Sequence, residues 1–479
     1  MIKANTSLLK LTNMKKITLK QFIPFTILAT IALLAIFIKP VADYADTGKY
    51  NSADTAWIIV ATALVFLMTP GLAFFYGGMV HRKNVISTMI KSMVAAGIVS
   101  ILWVVVGYSL AFGDDVGKLG FIGNPMTHLF FKGVNSGQPW SLAPTIPKTL
   151  FSLFQLMFAI ITPALVVGAV AERIRFTSFI LFIVLFSVLV YAPLAHWSWH
   201  PEGFLAKMGA LDFAGGTVVH ISAGCAALAG VLVLKRRKVH IEQREIPPAN
   251  IPYVLIGTGL LWFGWFGFNA GSAGAANSLS VSAFATTNTA AASAGLSWML
   301  FDVMRGKKPS VMGFCIGAVV GLVAITPAAG FVAIPQSIFV GVIAAIISNL
   351  AVYFKQKSTT VDDTLDVFPC HGIGGMVGML MTGLFATKAV NAAGNDGLFY
   401  GNAAFFFTQV KAMAIAVGYS FGVSFIIFKF INFILPIRVS SEDEELGLDA
   451  TQHNEKYLQG TLLVHNNGTL KESLIEVEK

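Results

Sequence analysis

Charge is scarce in this chain of 479 residues: Asp, Glu, Lys and Arg together make up 12%, about half the usual share. With 55% hydrophobic residues, the composition does not describe a string of soluble domains. A bilayer, not a globular core, calls for that much apolar sequence. Cysteine is nearly absent. Cys225, Cys315 and Cys370 are too few and too scattered for a disulfide framework or a zinc site, and each reads as a small buried hydrophobe within an apolar run. The GxxxxGK[ST] phosphate loop is missing, so the chain is not itself a P-loop ATPase. HExxH is missing too, which leaves a zincin-type intramembrane protease unsupported. Val106-Gly107-Tyr108 shares part of a potassium filter but lacks the flanking Thr and second Gly, and it lies in a continuous helical run.

The charge that is present is unevenly placed. The net value is +9, yet residues 441–479 hold nine acidic and three basic side chains, leaving thirty basic against fifteen acidic in the rest. The basic surplus comes in short clusters between apolar runs, not on one face, so no nucleic-acid partner is expected.

Apolar runs long enough to span a bilayer fall near 53–80, 85–112, 146–171, 176–195, 214–234, 250–270, 279–303, 310–330, 334–354, 365–386 and 405–435. A shorter run at 21–38 follows five lysines, the pattern of a signal peptide or a signal anchor. Alternate connections carry Arg82-Lys83, Arg173 with Arg175, Lys235 to Lys238, Arg305 with Lys307-Lys308, and Lys355 with Lys357. The positive-inside rule puts these loops in the cytoplasm, with the first of eleven spans entering from outside and the acidic tail inside. Glycines four residues apart, as at Gly313, Gly317 and Gly321 or Gly267 and Gly271, let helices approach closely.

Ionisable residues inside such runs are functional suspects because burying them is costly. His220 lies in the fifth span, 15 residues before Lys235, and His371 in the tenth, 14 residues after Lys357. At 1.5 Å per residue both sit roughly 21–22 Å from the inner basic rim, near mid-membrane. Asp212 precedes His220 by eight residues, and Asp363 precedes His371 by eight. The step from the fifth span to the tenth makes five spans per repeat, an odd number, which implies two halves of inverted topology with a substrate path at their interface. A lone membrane histidine is ordinarily a helix-to-helix hydrogen bond. A matched pair at one depth points to a shared pathway, where facing imidazoles can share a proton and offer a polar foothold. Two histidines do not make a metal site. Trp199, on an outside loop, is either an interfacial anchor or a cation-attracting face.

Residues 203–222, with Gly209-Ala210-Leu211-Asp212-Phe213-Ala214-Gly215-Gly216-Thr217-Val218-Val219-His220 inside them, resemble the signature of the Amt/Mep/Rh ammonium transporter family. Gly264-Trp265-Phe266-Gly267-Phe268-Asn269-Ala270-Gly271-Ser272-Ala273-Gly274, Ala171-Glu172-Arg173-Ile174-Arg175-Phe176 and Phe74-Phe75-Tyr76-Gly77-Gly78 are similar to further family motifs. Asp366-Val367-Phe368-Pro369-Cys370-His371-Gly372 resembles the motif of the second pore histidine. The match runs from about 52 to 457 and is nearer the bacterial Amt branch than the Rh branch.

The resemblance implies an all-α polytopic membrane protein of eleven transmembrane helices with a five-plus-five inverted repeat, preceded here by an extra apolar segment. It implies a transporter domain at 52–437 and an acidic regulatory tail at 438–479, which leaves 1–51 as the signal peptide or signal anchor and leader that the lysines and short apolar run indicate. It further implies a homotrimer in the bacterial inner membrane, no cofactor or metal, and no enzymatic activity. Trp199, Ser272 and Phe158 would recruit NH4+, with Asp212 shaping the vestibule. Phe158 and Phe268 would form the gate, and His220, His371 and Trp265 would line the pore, with Phe154 and Gln155 at the entrance. NH4+ would lose its proton near the gate and cross as NH3, with or without a separate proton returning through the histidine pair. An ammonium sensor and a passive Rh-like NH3 or CO2 channel are the alternatives. The tail stretch from Arg438 to Asp449 is similar to the family's regulatory tail, which in bacterial relatives contacts the transporter underside, where a PII-type signal protein can dock. Membrane lipids are the remaining partner. The chain departs from the bacterial pattern at Pro201-Glu202 after Trp199-His200, and Pro369-Cys370 precedes His371.

Overall fold

The computed structural model describes residues 19–38, 50–134, 139–457, 462–466 and 469–473. Of the expected leader, 1–18 and 39–49 lie outside the described residues, and the same holds for parts of the chain beyond 457. The run near the start forms helix α1 (Leu19–Ile36), whose apolar side chains are largely exposed.

Eleven helices make the bundle: α2 (Ser52–Met79), α3 (Arg82–Phe112), α4 (Lys148–Val170), α5 (Phe176–Lys207, interrupted at 200–203), α6 (Gly216–Leu234), α7 (Ile251–Gly271), α8 (Ser278–Met304), α9 (Val311–Ile325), α10 (Ile334–Gln356), α11 (Phe368–Phe385) and α12 (Ala403–Ile434). Among the described residues nine of these are long and apolar enough to cross a membrane. The other two of the expected eleven are α8 and α9. Helix α8 is long but rich in Ala, Ser and Thr, because small residues let it lie close against α9 and α10. Helix α9 has only 15 residues and ends in a buried turn at 326–330.

Loop chemistry sets the helix starts. Asn51, Asn250, Asn277, Ser310 and Asn402 each accept a backbone N–H of the first turn, which satisfies amides that no helical carbonyl can reach. The glycine spacing has the expected consequence. A methyl group on Gly317 would lie 2.7 Å from the Ala294 carbonyl oxygen, and one on Gly267 would lie 2.7 Å from that of Ala61. Backbones approach that closely only without side chains between them.

The helix α6 opens in a π-helical turn, Gly216–Ile221, and α11 in another, Phe368–Ile373, with a histidine inside each. Both starts are capped from a distance. The Asp212 carboxylate accepts the N–H groups of Gly215, Gly216 and Thr217 at 2.6–2.8 Å and the Thr217 hydroxyl. Asp363 Oδ2 accepts the Phe368 N–H at 2.7 Å. The matched eight-residue spacing is therefore a matched cap. Two further π-helical turns occur, at Ser187–Tyr191 and at Trp103–Gly107; the latter contains the Val106-Gly107 of the filter-like tripeptide.

At the basic end of the bundle an ionic hub joins three loops. Arg237 holds Asp362 through two side-chain bonds of 2.8 and 2.9 Å and Glu172 at 2.6 Å, while Arg173 donates to the Asp362 carbonyl at 2.5 Å. Burial opposes ionisation of both carboxyls, but the Arg237 guanidinium wins and holds Glu172 and Asp362 below the usual carboxylate range. Nearby, Lys355 pairs with Asp366 at 2.8 Å. Burial, reinforced by Asp366 and opposed by Lys355, pushes Asp363 up to about 6.

The tail folds onto this end in two short helices, α13 (Ser441–Leu446) and α14 (Leu448–His453). Glu444 accepts the Lys238 N–H at 2.8 Å and pairs with Arg438 at 2.6 Å. Asn84, at the start of α3, gives that helix no side-chain cap, because its oxygen accepts the Leu448 N–H instead. Asp449 supplies the cap in trans, accepting the Ile86 and Ser87 N–H groups at 3.1 and 2.7 Å. Beyond 457 the strands β1 (Leu462–Asn466) and β2 (Thr469–Ser473) pair antiparallel, an addition to the helical expectation.

Candidate functional site

The aromatic side chains singled out in the sequence converge at the end of the bundle opposite the hub. Trp199, at the close of the first part of α5, donates its indole N–H to the Asp212 carbonyl at 3.0 Å. Its ring meets Phe158 of α4 edge-on, centroids 5.8 Å apart at 82°. Phe158 also packs on Phe154, one turn away, at 4.9 Å and on Phe268 of α7 at 4.3 Å. Both Phe158 and Phe268 are fully buried, so the pair closes the way between Trp199 and what lies below. Ser272 lies one turn beyond Phe268 and donates its hydroxyl to the Phe268 carbonyl at 2.8 Å. That hydroxyl keeps its lone pairs. Gln155, next to Phe154 in sequence, carries a buried side-chain oxygen without a hydrogen-bond partner.

Beneath the phenylalanine pair lie the histidines. His220 and His371 face each other Nδ1 to Nδ1 at 3.4 Å, rings nearly parallel at 27°. The contact requires one Nδ1–H and one bare Nδ1, so the two imidazoles share a single proton along that line. The indole of Trp265 stacks on His220 with centroids 5.3 Å apart, and its N–H is fixed by Thr326 Oγ1 at 2.9 Å. Thr326 was not among the residues expected from the sequence. A buried indole needs an acceptor, but its partner lies 61 residues away. His220 Nε2 is buried without a partner.

The helices bearing the pair touch at Gly224 of α6 and Gly372 of α11. A methyl group at Gly224 would stand 2.2 Å from the Gly372 nitrogen, so bare glycine is what lets the imidazoles meet. A narrow cavity runs between them, walled by Leu72, Ile161, Val219, Leu261 and Val319. A second cavity continues past His371 toward the hub end along Tyr76, Ile316, Leu365 and Cys370. No lysine, arginine or carboxylate lines either one. Among the described residues no cluster of three or more His, Cys, Asp or Glu could hold a metal ion.

Residues 56–457 match the model of the Ammonium Transporter Family. The chain belongs to that family. Its sequence is 47% identical to the ammonium transporter of Bacillus subtilis over 412 residues, covering 85% of this chain and 99% of the relative. It is 45% identical to the ammonium transporter of Aquifex aeolicus, covering 86% of this chain and 95% of the relative. Among solved structures, Saccharomyces cerevisiae Mep2 superposes with a TM-score of 0.77 at 36% identity, over 82% of this chain and 89% of Mep2. A structure titled Sensor Amt Protein superposes with a TM-score of 0.76 at 30% identity, over 84% of this chain and 98% of its own. Membership makes the bundle a multi-pass membrane protein.

Proposed function

We propose that this chain moves ammonium across a membrane by admitting NH4+ at the Trp199 end and passing NH3 between His220 and His371. The observation that carries the reading is the order of groups along the lane. A cation-attracting indole and a hydroxyl with open lone pairs come first, then two phenylalanines packed at a tilt of 38°, then neutral imidazoles in an apolar cavity with no fixed charge.

NH4+ and K+ are close in size, so selection has to rest on hydrogen bonding. NH4+ can donate to Ser272 and lie against the faces of Trp199 and Phe158, contacts worth about 0.5–2 kcal/mol each depending on desolvation. The phenylalanine pair then penalises an unpaired charge by far more than a neutral amine, since an ion in an apolar medium costs on the order of tens of kcal/mol. Deprotonation therefore precedes passage. With one proton held between the two Nδ1 atoms, the neutral pair leaves one Nε2–H and one bare Nε2, a donor and an acceptor for NH3, and the linked rings provide a route for a returning proton. In this reading the Trp199 end faces outward and the basic loops and tail face the cytoplasm of a bacterial cell. Three copies act together, each with its own lane, and a PII-type protein docks at the basic underside that the acidic tail contacts.

The test is ammonium-evoked current in proteoliposomes with and without His220→Ala. A current that collapses in the variant supports the imidazole lane, and an undiminished current removes the histidines from the mechanism. The likeness to the Sensor Amt Protein gives a sensing role as the second reading. Methylammonium uptake by cells expressing the chain separates the two, since a pure sensor accumulates none.

A further inference from the structure

The Asp212 turn hangs on a residue that neither the motifs nor the lane includes. Gln409 lies on α12 and is fully buried. Its side-chain oxygen accepts the Leu211 N–H at 2.8 Å, and its side-chain NH2 donates to the Leu211 carbonyl at 2.8 Å. The orientation of the amide is fixed by its partners, because a backbone N–H only donates and a carbonyl only accepts. Gln409 thus pairs with Leu211 as a neighbouring strand would, from a helix 198 residues further along the chain. Room for its stem comes from Gly383 of α11, where a methyl group would come within 3.2 Å of Gln409 Cβ.

Leu211 is followed by Asp212, whose carbonyl receives the Trp199 indole and whose carboxylate caps the start of α6. The loop is also fastened before Leu211, by the Ala210 N–H to the Leu205 carbonyl, and after Asp212, by the Phe213 N–H to the Pro327 carbonyl and the Phe213 ring on Phe331. Among the described residues only Gln409 holds Leu211 itself through both of its backbone groups. We infer that Gln409 is a positioning residue for the outer cation site: its two bonds to Leu211 set the Asp212 carbonyl and hence the angle of Trp199 toward the incoming ion. The inference rests on the proposal that Trp199 receives NH4+. Gln409 touches neither ion nor lane, so its influence falls on recognition. The passage step past His220 and His371 is left as it is.

The experiment is the concentration dependence of ammonium-evoked current in proteoliposomes of the full chain, comparing Gln409→Leu, Gln409→Glu and Trp199→Leu with the parent. Gln409→Leu keeps the volume and removes both bonds. It is expected to raise KM about tenfold while kcat changes less than about twofold, the split that a weakened cation–π contact produces. General destabilisation would instead lower the number of active molecules and leave KM in place. Gln409→Glu carries the same acceptor and donor only while its buried carboxyl is protonated, so it should match the parent KM at pH 6 and depart from it at pH 8. A raised KM in Trp199→Leu with an unchanged KM in Gln409→Leu overturns the inference and leaves the outer site standing. Unchanged KM in Trp199→Leu overturns the outer site and the inference together. Should Gln409→Leu fail to fold, Gln409→Met, which also removes both bonds while keeping the length of the side chain, decides, and a parent-like KM in it overturns the positioning role.

Discussion

Adding one carbon at Gly224 tests whether the histidine contact depends on the helix crossing. In Gly224→Ala the new methyl would sit 2.2 Å from the Gly372 nitrogen and 2.3 Å from its Cα, both backbone atoms that cannot rotate away. Ordinary carbon contact begins near 3.5 Å, so α6 and α11 must part by about 1.2 Å. His220 lies one turn from Gly224 and His371 adjoins Gly372, so the same displacement carries the Nδ1···Nδ1 separation of 3.4 Å out of hydrogen-bonding range. Overpacking of this kind costs about 1–3 kcal/mol, which should appear as a lower melting temperature of the purified protein. Ammonium-evoked current in proteoliposomes should fall at the same time. The partner glycine supplies the contrast. A methyl at Gly372 would meet the Phe368 ring at 2.7 Å and Gly224 Cα only at 3.4 Å, and a ring edge can turn aside. Gly372→Ala should therefore be the milder change. Parent-like melting and current in Gly224→Ala, or equal damage from both substitutions, would refute the crossing as the cause.

Three other outcomes follow from the hub and the tail. Asp363, pushed up to about 6 by burial, binds its proton more tightly folded than unfolded, so the stability it confers is complete below its ordinary value and lost as pH rises through 6. Asp363→Asn should melt higher than the parent at pH 8, by a margin on the order of 2–3 kcal/mol, and equally at pH 4. Arg237→Met strands two buried carboxylates, Glu172 and Asp362, and should lower stability by about 3–5 kcal/mol in a detergent melt. Asp449→Ala removes the borrowed cap of α3, worth about 1 kcal/mol, and should speed proteolytic cleavage within 440–457 while leaving the bundle intact.

Much of the architecture was legible because apolar runs and basic loops are physical requirements of a bilayer. The eight-residue step from Asp212 to His220 and from Asp363 to His371 could be counted in the sequence, but its cause could not. Only the structure shows a carboxylate reaching the first amides of a π-helical start. The π-helical turns themselves leave no trace in a span that is apolar on every face, since periodicity needs contrast. Helices α8 and α9 fall on the apolar runs near 279–303 and 310–330, but one is dilute in large hydrophobes and the other short, so neither is among the nine described helices long and apolar enough to cross a membrane. Thr326 and Gln409 stayed hidden for a different reason. Each acts on a partner dozens to hundreds of residues away, and a single Thr or Gln in an apolar run carries no spacing to read.

The trans cap on α3 bears on how the chain is made. Asp449 follows Ile86 by 363 residues. At about 5–20 residues per second, a ribosome adds that stretch in roughly 20–70 seconds. Throughout that interval α3 lacks the carboxylate that closes its first turn, and Asn84 lacks the Leu448 amide. The early helices keep an unfinished edge until Leu448 and Asp449 emerge. A chain truncated before Leu448 never leaves that state, so its handling by membrane quality-control proteases reports on assembly, not on transport.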